Sequence, residues 1–201
     1  MMRGMMLGGG VLVLALAWGG PVNMLFGHGF TAGMTTHMAV VAVAAPLLAV
    51  AILGTAADPL RRLIWIGPLG ASLLEFVAVW GWHLPVPHNL ARHHAGFAVL
   101  EQFSFLVAGL LLWLACLQPG RQAAGIIGLL LTSMHMTLLG VLLTLAPRPL
   151  YDHGHGHGLW LSAQDDQALG GVVMLLVGGT AYLAGGVALA ARLMNRQGDA
   201  A

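Results

Sequence analysis

The chain has 201 residues, of which 58% are hydrophobic and only 7% are charged. Its eight basic residues are all arginine, and seven carboxylates leave a net charge of +1. Since a soluble domain carries roughly a quarter charged residues, the composition excludes a water-soluble enzyme. The scattered arginines form no basic stripe for a nucleic acid, and the single cysteine, Cys116, excludes a disulfide framework within the chain.

Six apolar segments approach the length of about 20 residues that a membrane-spanning helix needs. They are continuous apolar runs without alternation, which favours helices over strands. In chain order they cover about residues 4–20, 33–55, 63–82, 97–117, 123–146 and 169–191. We therefore predict an all-α polytopic helix bundle that forms one integral membrane domain over residues 1–201. The first segment also resembles a secretory signal, and its removal would leave five spans.

Some residues in these segments predict where helices start, bend or pack closely. Pro46 and Pro68 lie within predicted spans, where we expect them to kink the helix. Ser162 with Asp165 three residues later predicts a capped start of the last helix. Glycines spaced seven residues apart predict a smooth packing face on that helix, namely Gly171, Gly178 and Gly185.

The arginines predict how the bundle is oriented. If the N-terminus is cytoplasmic, six arginines lie on the cytoplasmic side, and only Arg92 and Arg148 lie outside. We therefore predict that both termini are cytoplasmic, in a bacterial inner membrane. In this topology eight of the ten histidines lie in or beside outer loops, and the other two, His37 and His135, lie within spans. This asymmetry indicates chemistry at the outer face.

Five side chains are candidate metal ligands: His37, His83, His135, Met38 and Met136. An ionisable residue within a span is by default a functional candidate. Imidazole and thioether groups form a soft ligand set that suits Cu(I) and adds no buried charge. The spacing Met34-x-x-His37-Met38 places three such groups on one helix face. Alternatively, methionine fills gaps in an apolar core, and a buried histidine bonds to a neighbouring helix.

Other polar residues near the predicted outer face are secondary candidates. Glu101, Asp166 and Gln167 lie near the outer ends of spans, where they would orient a ligand or contact a partner. The role of Glu75, deeper in the third span, stays open. Three histidines alternate with glycine in the third outer loop, a composition typical of weak metal capture and equally of a flexible connector, namely His153, His155 and His157.

Several short motifs occur together in a characteristic order. They are His37-Met38 followed by Ala45-Pro46-Leu47-Leu48, Trp82-His83-Leu84-Pro85, Leu100-Glu101-Gln102-Phe103-Ser104-Phe105, Pro147-Arg148-Pro149-Leu150-Tyr151, Asp166-Gln167-Ala168-Leu169-Gly170-Gly171 and Met174. Over about residues 30–192 the chain resembles the CtaG family of cytochrome c oxidase (caa-type) assembly factors. The resemblance implies a membrane accessory protein, not an enzyme, that helps mature a haem-copper oxidase.

This resemblance implies copper delivery to the catalytic subunit of the oxidase. Copper would arrive at the outer face, with an outer-side copper chaperone as a possible donor. His37 and His83 would be primary ligands, with His135 third and Met38 or Met136 exchangeable. The family often has histidine at the positions of Val41 and Gln102. Either His135 or the methionines substitute for them, or this branch binds metal weakly.

Two other functions stay open on the sequence. A haem-binding membrane electron carrier would use His37 and His135 as axial ligands. A copper or zinc permease would need polar groups through the inner halves of the spans, where the sequence offers few. A membrane hydrolase has least support, because neither HExxH nor GxSxG occurs.

Overall fold

The computed structural model describes residues 1–27, 29–151 and 161–198, and every regular element within them is a helix or a helical turn. The first half contains α1 (Met2–Trp18), α2 (Pro21–Phe26), α3 (Phe30–Met38), a π-helical turn (Ala39–Ala44), α4 (Ala45–Ile52) and a 3₁₀ turn (Pro59–Arg61). The second half contains α5 (Pro68–Trp82), α6 (Pro85–His93), α7 (Ala95–Leu117), α8 (Gln122–Thr144), α9 (Ala163–Val173), a second π-helical turn (Met174–Gly178) and α10 (Gly179–Gly198).

The described part of the chain contains four continuous helical stretches that are long and apolar enough to cross a membrane. They are Phe30–Ile52, Ala95–Leu117, Gln122–Thr144 and Ala163–Asn195. Helices α5 and α6 make a fifth if the pair, bent by 71°, counts as one span, while α1 is a shorter apolar helix of 17 residues. The all-helical, multi-pass membrane fold is confirmed. The count of six and the orientation stay predictions.

The third predicted span is shorter than expected. Its helix, α5, begins at Pro68 rather than near residue 63. Proline lacks an amide hydrogen and fits the first turn of a helix, where no amide bond is required. The prediction that Pro68 kinks the interior of a span is therefore wrong. By contrast, Pro46 does lie within a continuous helix, directly after the π-helical turn.

The first π-helical turn supplies an acceptor to the centre of the bundle. Its Val41 carbonyl accepts a hydrogen bond from Trp113 Nε1 at 3.1 Å and lies 3.4 Å from the Tyr182 hydroxyl. That hydroxyl also donates to Glu75 Oε1 at 2.6 Å. The wide turn thus ties α5, α7 and α10 together through buried polar groups, and Glu75 has a role in packing.

Helices α9 and α10 pack closely on α8 through the predicted glycine face. A Cβ added to Gly171 would lie 2.7 Å from the Gly140 carbonyl oxygen of α8. A Cβ added to Gly185 would lie 2.7 Å from the Trp113 ring of α7 and 3.1 Å from the Leu129 side chain of α8. The predicted smooth face is confirmed, and so is the cap of α9, where Ser162 Oγ accepts from the Asp165 amide at 3.1 Å.

The two ends of the bundle differ in the side chains that close them. We call one the histidine end, where α3, α7 and α9 begin and α5 ends. At the opposite end, Arg3 donates to the Leu53 carbonyl, and Arg121 donates to the carbonyls of Ile64 and Ile66. Arg3 and Arg121 therefore share one end, as the arginine count requires.

Candidate metal centre

Two of the predicted metal ligands meet inside the histidine end. His37 on α3 is fully buried, and its ring centroid lies 5.6 Å from that of His83, which follows the last residue of α5. Phe105 of α7 packs against the same imidazole with its ring centroid 3.9 Å away. Helix α3 and the end of α5 thus bring the two histidines together, and Phe105 of α7 covers them with an apolar ring.

The hydrogen bonding of His83 determines which of its nitrogens can bind a ligand. Its Nδ1 lies 2.6 Å from the Val79 carbonyl oxygen, which can only accept, so Nδ1 carries the hydrogen. In the neutral ring Nε2 is then a bare acceptor. This Nε2 faces Met34 Sδ at 3.3 Å. Two lone-pair donors therefore point at each other, an arrangement that a shared cation would stabilise.

His37 has no hydrogen-bond partner for either ring nitrogen among the described residues. Leaving a buried polar group unpaired costs about 1–3 kcal/mol. Both nitrogens stay unpaired although the imidazole of His83 and the thioether of Met34 belong to the same site. We refer to His37, His83 and Met34 as the His–Met cluster.

The His–Met cluster fits a soft monovalent ion better than zinc. Two imidazoles bonded to one ion at about 2 Å each place their nitrogens no more than about 4 Å apart, which the ring separation allows. Over residues 1–27, 29–151 and 161–198, no group of three or more His, Cys, Asp or Glu side chains is placed to hold a metal ion. Two nitrogens and a sulfur match the low coordination and ligand preference of Cu(I).

A cavity of about 530 Å³ reaches the His–Met cluster from the space between α1, α6 and α7. Met34 and His37 form part of its inner wall. Its polar wall contains Arg92, Glu101 and Gln102. Glu101 is therefore a wall residue of the cavity, where its carboxylate interacts electrostatically with Arg92.

Asp166 and Gln167 hold the chain around the cluster in position. The Asp166 carboxylate accepts the backbone amides of Phe30 at 2.6 Å and Thr31 at 3.1 Å, and so caps the start of α3. Gln167 accepts from the Leu150 amide at 2.7 Å and donates to the Leu143 carbonyl at 3.2 Å. Both side chains are buried, which fits the predicted orienting role better than contact with a partner.

A buried tyrosine that was not singled out from the sequence bonds to the backbone of His83. Tyr151 donates through its hydroxyl to the His83 carbonyl at 2.9 Å and stacks on Phe30 with ring centroids 4.9 Å apart. The buried His88 packs on the same tyrosine at 4.1 Å. Burial raises the pKa of the Tyr151 phenol, so the hydroxyl remains a donor. Tyr151 ends a motif noted above, but nothing in that motif indicates its contact with His83.

Comparison with known proteins gives a family for this site and fold. The family of cytochrome c oxidase caa3 assembly factors (CtaG) matches residues 2–196. The chain belongs to this family. No curated protein and no solved structure is similar enough to the chain to count as a match. The assembly role expected from the ordered motifs is thereby supported, and the chain is an oxidase assembly factor of the membrane.

The structure does not place the other three predicted ligands of this assembly factor in the His–Met cluster. His135 is half-buried and packs edge-on against Phe76 of α5, with ring centroids 5.3 Å apart. Met38 and Met136 are buried, and both lie beside Gly178 of the second π-helical turn. The thioether that contacts a predicted ligand is that of Met34, which precedes His37 by three residues.

The two positions where the family often has histidine serve other purposes here. Val41 is buried in the first π-helical turn against Gly109, and its carbonyl binds Trp113. Gln102 accepts a hydrogen bond from Trp18 Nε1 at 3.1 Å and so joins α7 to α1. His153, His155 and His157 lie outside the described residues.

Proposed function

We propose that this assembly factor binds one Cu(I) ion between His37, His83 and Met34 and delivers it to the catalytic subunit of the nascent oxidase. Catalysis of a reaction is not part of this role. The observation that carries the proposal is the pair of facing lone pairs on His83 Nε2 and Met34 Sδ, 3.3 Å apart. The unpartnered nitrogens of the buried His37 add the second imidazole.

Delivery follows from an incomplete ligand shell. Two imidazoles and one thioether leave Cu(I) able to accept a further donor, so a ligand from the oxidase subunit can add before one leaves. Met34 and His37 both line the cavity, and because the thioether of Met34 is the weakest of the three donors, we expect it to leave first. Phe105 packs against the His37 ring and also lines the cavity. In the proposed orientation the histidine end faces outward from a bacterial inner membrane, where an outer-side chaperone supplies the copper.

The contacts of the intramembrane histidines favour a copper ion over a haem. His37 packs against Phe105 and His83, and His135 packs against Phe76. A haem held by His37 and His135 would require both rings to turn toward a common iron. A Soret band in protein purified from haem-replete cells would favour the haem alternative instead.

The decisive experiment is anaerobic loading of the detergent-purified protein with Cu(I), followed by elemental analysis. We expect about one copper per chain in the wild type, and loss of it in His37→Ala and His83→Ala. Met34→Leu, which keeps the volume, removes a direct ligand and should weaken binding by at least about tenfold, the low end even for residues that only orient a ligand.

Matched controls separate the cluster from the other candidates. His135→Ala, Met38→Leu, and joint replacement of His153, His155 and His157 should each leave the copper stoichiometry unchanged. If His135→Ala abolishes binding while His83→Ala does not, the His–Met cluster is not the site. If the wild type retains no copper, the protein assists assembly without carrying the metal.

A further inference from the structure

The cavity beside the His–Met cluster opens toward the lipid. Its lining includes Val99 and Phe103 of α7, which are 69% and 59% exposed on a spanning helix, and Trp18 at the end of α1. Side chains exposed on such a helix face the hydrocarbon or the headgroup region. A ligand that enters here therefore comes from the membrane rather than from bulk water.

The cavity lining includes a basic and an acidic side chain, Arg92 and Glu101. Arg92 donates to the Gly29 carbonyl at 3.3 Å, and its guanidinium packs against Gly33 of α3. Glu101 interacts electrostatically with Arg92 from α7. Asp166 also lies within electrostatic reach of Arg92, but both of its carboxylate oxygens accept backbone amides. The available pair is thus Arg92 and Glu101.

We propose that this cavity binds the headgroup of a zwitterionic aminophospholipid such as phosphatidylethanolamine. The phosphate would bind Arg92, because a guanidinium matches its oxygens with several donors. The primary ammonium would bind the Glu101 carboxylate, and an acyl chain would lie along Val99 and Phe103. Phosphatidylglycerol lacks the ammonium and would be repelled by Glu101, while phosphatidylcholine has no N–H to donate.

Such a lipid would close the passage to Met34 and His37 from the membrane side. Water would then be kept from the cluster until the lipid moves. This inference stands on the cavity and its two charges and does not depend on copper binding.

Native mass spectrometry tests the proposal on the full-length protein. The protein would be delipidated mildly and mixed with equal amounts of phosphatidylethanolamine, phosphatidylglycerol and phosphatidylcholine with identical acyl chains. We expect phosphatidylethanolamine to be enriched in the bound lipid, and the enrichment to fall about fivefold in Arg92→Gln, the scale of one partly exposed ion pair. Glu101→Gln should lose the discrimination against phosphatidylglycerol.

Two variants distinguish binding from a structural effect. Arg148→Gln removes an exposed arginine from the segment after α8, outside the cavity lining, and should keep the wild-type enrichment. Arg92→Lys keeps the charge but loses the guanidinium donors, so its loss of enrichment should be smaller than that of Arg92→Gln. Equal losses in Arg92→Lys and Arg92→Gln would mean that the charge of Arg92 does not hold the lipid, and would overturn the proposal.

Soluble phosphoethanolamine distinguishes a lipid from a free headgroup. At millimolar concentration it should not displace the bound lipid, because it lacks the acyl chain that contacts the apolar wall. A wild-type protein that binds the three lipids without preference would overturn the proposal and favour a polypeptide as the occupant of the cavity. Copper stoichiometry should be unchanged in Arg92→Gln, so failure of this inference is separable from failure of copper binding.

Discussion

Two groups of buried polar side chains lie side by side at the histidine end, and they differ in how their hydrogen bonds are satisfied. Asp166 accepts two backbone amides, and Gln167 both accepts from and donates to the backbone. In the His–Met cluster, His37 has no partner among the described residues, and His83 Nε2 faces a thioether. The first group completes the fold, whereas the second leaves lone pairs for something outside the chain. Missing partners indicate function in this cluster because a second imidazole lies beside His37, whereas the nitrogens of His135, likewise unpartnered within the described residues, belong to a ring that packs against Phe76.

Asp166→Ala should show the largest stability loss, because it leaves two amides at the start of α3 unpaired and removes a favourable charge there. We expect the free energy of unfolding to fall by about 3 kcal/mol. The apparent Tm in detergent, followed by helical circular dichroism, measures it. The matched control is the exposed Asp165→Ala, which should cost no more than about 1 kcal/mol. Equal effects would contradict the assigned cap.

His37→Leu should behave in the opposite way. Leucine has a similar volume and removes two unpartnered nitrogens, so the metal-free variant should stay within about 1.5 kcal/mol of the wild type. Cu(I) at a free concentration of about 100 times its Kd should stabilise the wild type by about 2.7 kcal/mol and the variant not at all. Thermal unfolding with and without Cu(I) measures both. A large loss without metal would make His37 a structural residue.

Gln167→Leu should lower the free energy of unfolding by about 2 kcal/mol, because the Leu150 amide and the Leu143 carbonyl both lose a partner. Copper stoichiometry should be preserved in the folded variant. The pair of measurements, apparent Tm and bound copper, checks this separation. Loss of copper with an unchanged Tm would place Gln167 in the metal site instead.

Tyr151→Phe should have the smallest effect, about 1 kcal/mol, through its bond to the His83 carbonyl. Burial raises the folded-state pKa of Tyr151 above its ordinary value of 10.0, so the unfolded chain ionises first. Its contribution to stability is therefore complete below about pH 10 and declines as the pH rises further. Unfolding measured against pH should show a shallower alkaline decline in Tyr151→Phe. Identical slopes would mean that Tyr151 titrates normally.

The helical membrane fold could be predicted from the sequence, because the length of an apolar segment is a local signal. The candidacy of His37 and His83 could be predicted as well, because a titratable residue within or at the end of a span is also visible locally. The spacing to Met34 also follows from helix geometry. The choice of Met34 over Met38 and His135 depends on how α3 and α8 rotate against their neighbours, which no local pattern specifies. The cap that Asp166 provides to α3 joins residues 136 positions apart in the chain, so no local capping pattern predicts it.

The two π-helical turns have a consequence for how the bundle changes over evolution. In an α-helix an added residue rotates everything beyond it by about 100°, which would turn the His–Met cluster away from its partners. A π-helical turn takes up an additional residue locally. The turn at Ala39–Ala44 follows Met38 directly, so an additional residue taken up there leaves the rotation of the segment that holds His37 unchanged relative to α4. The rotation that brings His37 toward His83 is therefore set on one side of this turn, and the packing of α4 on the other.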